Sequence, residues 1–189
     1  MIRNLLTSLA LASLLGSAAQ AADTFAIDAS HSTAIFRVVH LGVTPNYGRF
    51  NDLDGAVTWA GDDLAAAKVE LKIKTGSVDT NNGKRDTHLK GPDFFNEKQY
   101  PELSFVSKSW AKNADGTYAV SGDLTLKGVT KPTTVTVTKT GEGKDPWGGY
   151  RLGFESSFKL NRSDFDIKGV PAGVGEEVTV IIALETIKK

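Results

Sequence analysis

Apolar residues at every second position are the feature that most restricts the fold of this chain. Val135 and Val137 alternate with threonines, and the segments 69–74, 152–160 and 178–184 repeat the pattern with charged or small polar residues between. A period of two places successive side chains on opposite faces of a β-strand. β-branched and aromatic residues, which strands favour, dominate these segments. The pattern therefore predicts an all-β domain.

Turn residues divide the pattern into about eight strands at hairpin spacing. Asn81–Gly83, Asn113–Gly116 and Gly141–Gly149 are rich in the residues that form loops and hairpin connections. Residues 84–96 break the alternation and predict one short helical segment, with Pro92 able to begin a second turn. Eight antiparallel strands can close as a barrel or pack as a sandwich, and the pattern alone leaves both open.

The N-terminus has the three parts of a secretory signal peptide. Arg3 is the only charged residue before an apolar core over residues 5–19, and Ala19-Gln20-Ala21 supplies the small residues before a cleavage site. The core is too short and too rich in serine for a membrane span of about 20 residues. We predict a signal peptide at 1–21, a periplasmic location, and one mature domain at 22–189 that begins at Ala22.

Composition excludes several classes of function. Removing the leader removes only Arg3 among the charged residues, so 22 basic residues become 21 against 22 acidic ones. This balance, without a dense basic cluster, argues against a nucleic-acid partner. The chain has no cysteine, which excludes disulfides, thiol catalysis and cysteine-ligated metal sites. No later segment resembles a membrane span.

The polar residues do not form a recognisable catalytic or metal motif. His31 and His40 are nine residues apart, and neither pairs with His88 at a known zinc spacing. Asp28, Ser30, His31 and Ser32 are close in sequence, but such residues at a strand end more often satisfy turn hydrogen bonds. A nucleophile elbow is also missing. We expect no enzyme activity, no cofactor and no metal.

A set of short motifs gives the chain a resemblance to a known family. They are Ile27-Asp28, His31-Ser32, Phe36-x-Val38-x-His40-Leu41-Gly42, Gly48-Arg49-Phe50, Arg85-Asp86-x-His88-Leu89, Asp93-Phe94-Phe95, Tyr100-Pro101, Phe105, Gly122-Asp123-Leu124-Thr125-Leu126-x-Gly128-Val129-Thr130 and Arg162-x-Asp164-Phe165. In this order they resemble the YceI-like periplasmic polyisoprenoid-binding proteins over essentially the whole mature chain. The resemblance implies a lipocalin-like, closed, eight-stranded antiparallel barrel around an elongated lipid pocket, without established catalytic residues. One departure is Asp166, where the family has glycine.

The same resemblance implies a role in ligand binding for the residues on the inward faces of the strands. Inward aromatic residues alone favour a packed core over a pocket, because most of them serve packing. The resemblance reverses this preference, since it implies a barrel whose inward residues contact ligand. The residues predicted to line the pocket are Phe36, Val38, His40, Phe50, Leu71, Ile73, Phe105, Leu124, Leu126, Phe154, Phe158 and Phe165. Arg49 and Arg162 are candidates for contact with an anionic head group, and a structural ion pair is the competing interpretation.

These observations favour a protein that sequesters or carries an isoprenoid or similar long-chain lipid. The alternative is a stress-related envelope protein that acts through a protein partner, with the lipid incidental. Trp147, in the turn-rich segment 145–149, is the contact residue that this alternative would use. A homodimer is compatible with either of these two functions.

Overall fold

The computed structural model describes residues 21–189, so the predicted signal peptide lies outside the described residues except for Ala21. The strands are β1 (Asp23–Ile27), β2 (Thr33–His40), β3 (Thr44–Phe50), β4 (Leu53–Trp59), β5 (Lys68–Lys74), β6 (Val78–Asp79), β7 (Glu102–Lys112), β8 (Tyr118–Leu126), β9 (Val129–Lys144), β10 (Tyr150–Asn161) and β11 (Val174–Lys188). The helices are α1 (Gly83–Leu89) and two 3₁₀ turns, Thr75–Ser77 and Arg162–Phe165. Within residues 21–189, no helix has the length and apolar character needed to cross a membrane.

Hydrogen bonding closes the sheet into a barrel. Eight strands form a ring in the order β1, β4, β5, β7, β8, β9, β10, β11, and β11 pairs again with β1. All of these pairs are antiparallel. The prediction of an eight-stranded antiparallel barrel is confirmed, and the sandwich is excluded.

The long strand β11 makes the closure. Its C-terminal part pairs with β1 through Thr186 and Ile27, and its N-terminal part pairs with β2, where Val180 lies opposite Phe36. β1 and β2 therefore act as one bent strand along β11. From this edge β2 pairs with β3, and β3 with β6, so that this hairpin extends beyond the ring.

Two apolar clusters fill the barrel interior. One contains Phe50, Leu71, Leu124 and Leu184 together with side chains from the segment after α1, and the other contains three aromatic residues from β4, β7 and β8. β8 shows the predicted alternation directly, since Tyr118, Val120, Gly122, Leu124 and Leu126 are all buried and the residues between them are half-buried. The alternation in the sequence therefore correctly predicts which face of β8 points into the barrel.

One loop prediction needs correction, and another is refined. Gly141–Gly149 is not one loop, because β9 continues to Lys144 and only residues 145–149 make the turn. Gly141 and Gly143 pair with Gly153 and Arg151 of β10, and backbone pairing of this kind needs no side chain. Asn81-Asn82 lies in a loop, as predicted, and this loop leads from β6 into α1. The Asn82 side chain accepts a hydrogen bond from the Arg85 N–H at 3.1 Å and caps α1.

Candidate functional site

The barrel interior holds a cavity of about 210 Å³ between the two clusters. On β8 its wall extends from Val120 to Leu126, and on β10 from Phe154 to Leu160. Six residue-to-residue steps along a strand span roughly 20 Å. The cavity is therefore elongated along the strands.

The wall is built almost entirely from inward-facing apolar side chains. The lining residues include Ala34, Phe36, Val38, Phe50, Val57, Val69, Leu71, Ile73, Leu89, Phe94, Phe95, Leu103, Phe105, Trp110, Val120, Leu124, Leu126, Val135, Val137, Phe154, Phe158, Leu160, Ile167, Val174, Val178, Val180, Ile182 and Leu184. One inward hydroxyl, that of Ser156, donates to the Thr136 carbonyl at 2.7 Å and is thereby satisfied within the sheet. A wall of this kind offers hydrocarbon contact and few polar contacts.

Aromatic packing closes one end of the cavity. The Trp59 ring lies 5.7 Å from Trp110, 5.5 Å from Tyr118 and 5.6 Å from Phe154, each with the rings steeply inclined. Edge-to-face contacts of this kind are favourable for aromatic pairs. All four side chains are buried. We name this group the aromatic plug.

The segment after α1 covers the opposite end. Phe95 lies 5.4 Å from Phe50 and 6.4 Å from Phe36, which brings it against the ends of β2 and β3. The Gly169 N–H donates to the Asp93 carbonyl at 2.9 Å and ties this segment to the loop before β11. Lining residues at this end, such as Val38 and Val174, are half-buried, whereas those beside the plug are buried. The opening therefore lies between the covering segment, the β2–β3 hairpin and the loop 166–173, and we call it the mouth.

Arg162 is a charged residue of the wall, and its guanidinium is buried. It is 4% exposed, and Nε donates to Gly175 O at 2.9 Å while Nη1 donates to Ile167 O and Gly169 O at 3.0 and 2.8 Å. Nη2 donates to Val174 O at 3.0 Å. These four bonds fix the loop before β11 at the mouth. The expected carboxylate partner Asp164 pairs instead with Lys131 at 3.1 Å.

Ten of the twelve residues predicted as pocket lining lie on the wall. They are Phe36, Val38, Phe50, Leu71, Ile73, Phe105, Leu124, Leu126, Phe154 and Phe158. His40 is exposed, because it ends β2 beyond the ring of strands. Phe165 is buried, but it lies in the 3₁₀ turn after β10, with the Lys131 ammonium 5.8 Å from its ring centre. Whether any of the twelve contacts a ligand stays a prediction.

The other predicted arginine, Arg49, lies outside the cavity. Its side chain is exposed and its Nε is 3.5 Å from Asp79 Oδ2. Outward position follows from its place on β3, where the neighbouring Gly48 and Phe50 take the buried face. The competing interpretation of a surface ion pair describes Arg49 better than a head-group contact.

Several wall residues were not predicted individually. Val135, Val137, Val180 and Ile182 obey the same alternation, so the pattern could have identified them. Leu89, Phe94 and Phe95 could not be found in this way, because they come from the irregular segment that covers the barrel. Their apolar character and their place in two of the family motifs were the signals that the sequence gave for them.

A polar network lies outside the cavity, around Arg151. Its Nη1 donates to Asp28 at 2.8 Å and Glu185 at 2.6 Å, and its Nε donates to Asp145 at 2.8 Å. Hydrogen bonds from Ser30, His31 and Arg151 lower the pKa of Asp28, and the three carboxylates raise the pKa of Arg151. Ser30 Oγ donates to Asp28 Oδ1 at 2.6 Å, which confirms the turn interpretation of this motif.

Asp28, His31 and Glu185 also place ligand-type atoms within 4.8 Å of one another. A metal ion there would compete with Arg151 for both carboxylates, so the arrangement fits an ion-pair network better than a metal centre. The three histidines do not converge, since His31 precedes β2, His40 ends it and His88 lies in α1.

An antiparallel barrel closed around an elongated apolar cavity defines a class of small barrels that hold one apolar ligand. The comparison with known families agrees with this class. The model of the YceI-like domain matches residues 25–186, and the chain belongs to this family. The resemblance seen in the sequence motifs is confirmed.

Individual relatives show the same relationship. A "UPF0312 protein" of Yersinia pestis (strain Pestoides F) is 43% identical over 191 aligned positions, which cover 100% of this chain and 99% of the relative. BcnA of Burkholderia cenocepacia superposes with a TM-score of 0.77 at 24% identity, over 84% of this chain and 98% of BcnA. A polyisoprenoid-binding domain of Saccharophagus degradans, implicated in plant cell wall breakdown, gives a TM-score of 0.67 at 18% identity, over 87% and 98% of the two chains. Both structures show that the fold is shared.

Proposed function

We propose that this protein sequesters or carries a polyisoprenoid or a similar long-chain lipid in the periplasm, with the hydrocarbon tail in the barrel and the polar head at the mouth. The observation that carries the proposal is the elongated cavity with a nearly all-apolar wall. Such a wall can discriminate by length and shape but offers few partners for polar groups along a ligand. The polyisoprenoid-binding domain with the same fold supports this ligand class.

The energetics suit exchange between membranes rather than permanent storage. Removing a CH₂ group from water is worth about 0.8 kcal/mol. A prenyl chain that starts in a bilayer is already out of water, and ordering the flexible tail opposes binding. The net free energy of transfer from bilayer to barrel is therefore small, so the lipid can leave again.

Arg162 is the proposed contact for the head group. A guanidinium carries five N–H donors, and the four hydrogen bonds to loop carbonyls leave one N–H on Nη2 for an oxygen at the mouth. Charge-assisted hydrogen bonds to phosphate or carboxylate oxygens are strong.

The test is extraction of the purified mature protein with organic solvent, followed by mass spectrometry. Phe158→Asp should abolish co-purified lipid, because it places a charge on the wall. Ser157→Asp is the matched control, since its side chain lies one position away on the exposed outer face. Circular dichroism should show that both variants fold.

A second variant keeps the test decisive if Phe158→Asp does not fold. Ala34 is a small, buried wall residue. Ala34→Leu fills part of the cavity with a larger, uncharged side chain and should lower the amount of bound lipid. Unchanged lipid content in every one of these two variants that folds would show that the cavity is not the lipid site.

The periplasmic location is tested separately. We propose that the leader is removed before Ala22, as Ala19-Gln20-Ala21 indicates. N-terminal sequencing of protein from the periplasmic fraction should begin at Ala22-Asp23-Thr24. Recovery from the cytosol with Met1 retained would contradict the location.

One observation favours the second candidate, action through a protein partner. The Trp147 side chain is 84% exposed at the tip of the β9–β10 turn. Asp145 Oδ1 accepts from the Trp147 N–H at 3.0 Å and from the Gly149 N–H at 2.8 Å, which holds the turn in one shape. A photo-crosslinker at position 147 in living cells would give one discrete protein adduct if this candidate is correct.

A further inference from the structure

Exposed apolar side chains are concentrated at the mouth. Of the six large hydrophobic residues that are exposed in residues 21–189, four lie on the β2–β3 hairpin or in the loop before β11: Leu41, Val43, Tyr47 and Val170. We call these four the mouth rim. Val43 is 82% exposed and Leu41 62%. Apolar groups collected in this way on one end of a protein mark an interaction surface.

The backbone holds two parts of the rim together. The Leu41 N–H donates to the Gly173 carbonyl at 2.8 Å, and the Gly173 N–H donates to the Val170 carbonyl at 3.0 Å. A side-chain carbon at Gly173 would lie close to both Val170 and Leu41. The hairpin tip and the loop therefore form one continuous surface.

Two rim residues take a backbone conformation that their side chains disfavour. Leu41 has φ +52° and Val170 has φ +48°. The turn His40–Val43, in which Gly42 also has a positive φ, is the kind that favours Asn-Gly at its centre. A β-branched residue at positive φ is a strained outlier. Folding stability alone does not account for leucine and valine at these positions.

The two segments that carry the rim contain basic residues and no acidic ones. Residues 33–50 and 167–175 contain no aspartate or glutamate, and their ionisable groups are Arg37, His40, Arg49, Lys168 and the phenol of Tyr47. Arg49 pairs with Asp79, and Lys168 pairs with Asp166 at 2.6 Å. Arg37 has no ion-pair partner among residues 21–189. An apolar tip with the guanidinium of Arg37, unpaired within residues 21–189, on the same hairpin is complementary to an anionic lipid surface.

We infer that the mouth rim is a membrane-docking surface, which inserts Leu41, Val43 and Val170 into a bilayer that contains anionic phospholipid. The inference rests on the proposed function for its occupant, because a tail that enters the mouth comes from a bilayer. In the docked orientation the cavity opens directly toward the acyl chains, and the ligand passes between bilayer and barrel without crossing water.

The test is flotation of the mature protein with phosphatidylethanolamine–phosphatidylglycerol vesicles. The variant Leu41→Asn/Val43→Asn/Val170→Asn should lower the vesicle-bound fraction at least about tenfold, since it removes three apolar contacts with the bilayer. Leu41→Asn alone should weaken binding while keeping or raising Tm, because it creates an Asn-Gly turn. A merely structural role for Leu41 would predict a lower Tm. Val106→Gln is the matched control: Val106 is 45% exposed on β7, outside the rim.

Three results would overturn the inference. The triple variant could float as well as the wild type, or the wild type could fail to float. The wild type could also form a dimer that the triple variant abolishes, with no binding to vesicles, and a second copy of the chain would then be the occupant.

A second measurement distinguishes failure of the docking surface from failure of the proposed carrier function. A fluorescent prenol added in solution reports binding in the cavity without a membrane. Prenol binding without flotation contradicts the docking surface alone, whereas flotation without prenol binding contradicts the carrier alone. Wild-type prenol affinity in the triple variant, together with transfer between vesicles that is at least about tenfold slower, supports both.

Discussion

Arg162 shows how one residue can shape the entrance of the barrel. Its side chain is buried, yet carbonyl oxygens of the loop before β11, rather than a carboxylate, receive its hydrogen bonds. A guanidinium can serve several acceptors at once because its donors form a rigid planar fork. The loop that carries Val170 therefore depends on this side chain for its position.

Replacing Arg162 should destabilise the fold strongly. Arg162→Met keeps much of the side-chain volume but leaves four carbonyls without their donors, and each buried unsatisfied group costs about 1 to 3 kcal/mol. We expect a loss of about 3 kcal/mol or more in the free energy of unfolding, measured by urea denaturation. Arg49→Met is the control, because the exposed Arg49–Asp79 pair contributes at most about 1 kcal/mol. Equal losses in the two variants would contradict the structural role of Arg162.

His31 gives the stability a pH dependence of defined sign. The hydrogen bond to Asp28, followed by the charges of Asp28 and Glu185, raises the pKa of His31 above its usual 6.5. The folded protein then holds the proton more tightly than the unfolded chain does. This contribution is fully present below the unfolded pKa and is lost as pH rises through the folded pKa.

The prediction is a pH-dependent effect of His31→Gln. The variant should lower Tm relative to wild type more at about pH 5.5 than at about pH 8.5, because the contribution of the bound proton falls as pH rises. Thermal unfolding followed by circular dichroism at both pH values measures the difference. The same Tm difference at both values would show that the proton on His31 contributes no stability.

For single residues, the sequence predicted which face of a strand a side chain occupies better than it predicted the hydrogen-bond partners of that side chain. The alternation placed Phe154 and Phe158 on the inner face, and the structure confirms it. It did not predict that Arg162 would bind carbonyls, because those carbonyls become neighbours only when the loop closes over the barrel. Asp166, at the position where the resemblance led us to expect glycine, has φ +57°. Glycine suits this conformation, and the Asp166 carboxylate lies beside Lys168 at 2.6 Å.

Among the elements, β7 and β8 make a very close backbone contact. A side-chain carbon at Gly122 would lie 2.4 Å from the Val106 carbonyl oxygen and 2.8 Å from the Ser107 Cα. The register of β7 shifts just beyond this point, between Ser107 and Ser109. A glycine in a strand often marks such a close approach.

Gly122→Ala should therefore separate the two strands locally. We expect a loss of about 2 kcal/mol in the free energy of unfolding, the usual scale for overpacking. Gly141→Ala is the matched control in the neighbouring strand β9. Nothing lies within 4 Å of a side-chain carbon there, so the change should stay within about 0.5 kcal/mol. Chemical denaturation of both variants measures the difference, and a neutral Gly122→Ala would contradict the close packing.

Elements with strong alternation were predictable, and those defined by long-range pairing were not. β8, β10 and β11 follow the sequence pattern closely. The extension of β9 over Gly141–Lys144 depends on pairing with β10, and the glycines hide it in the sequence. β3 and β6 have little pattern of their own, and their pairing with each other and with β2 defines them.

For the whole molecule, the decisive contact joins the first and the last strand, β1 and β11. Phe25 of β1 lies opposite Lys188 of β11, and this pairing separates a barrel from an open or folded sheet. Alternation gives the same pattern in both architectures, so the residues alone could not choose between them. The family resemblance made the choice, and the pairing confirms it.

A barrel with an apolar cavity should be more stable when lipid fills it. A ligand at a hundredfold excess over its Kd stabilises the native state by about 2.7 kcal/mol. For a domain of this size we expect the Tm to rise by about 5 to 10 °C when prenol is returned to stripped protein. Differential scanning calorimetry measures the shift. Phe158→Asp should show none, and a stripped wild type that does not respond to prenol would contradict the carrier.

For the proposed lipid carrier, the aromatic plug has a consequence for traffic between membranes. A barrel sealed at one end is a cup, and nothing can be threaded through it from one membrane to the other. Whatever enters at the mouth must leave by the same route, so copies of this protein stacked end to end could not form a conduit. Delivery would then require each molecule to turn and diffuse with its load, and the rate of supply would rise in proportion to the number of copies in the cell.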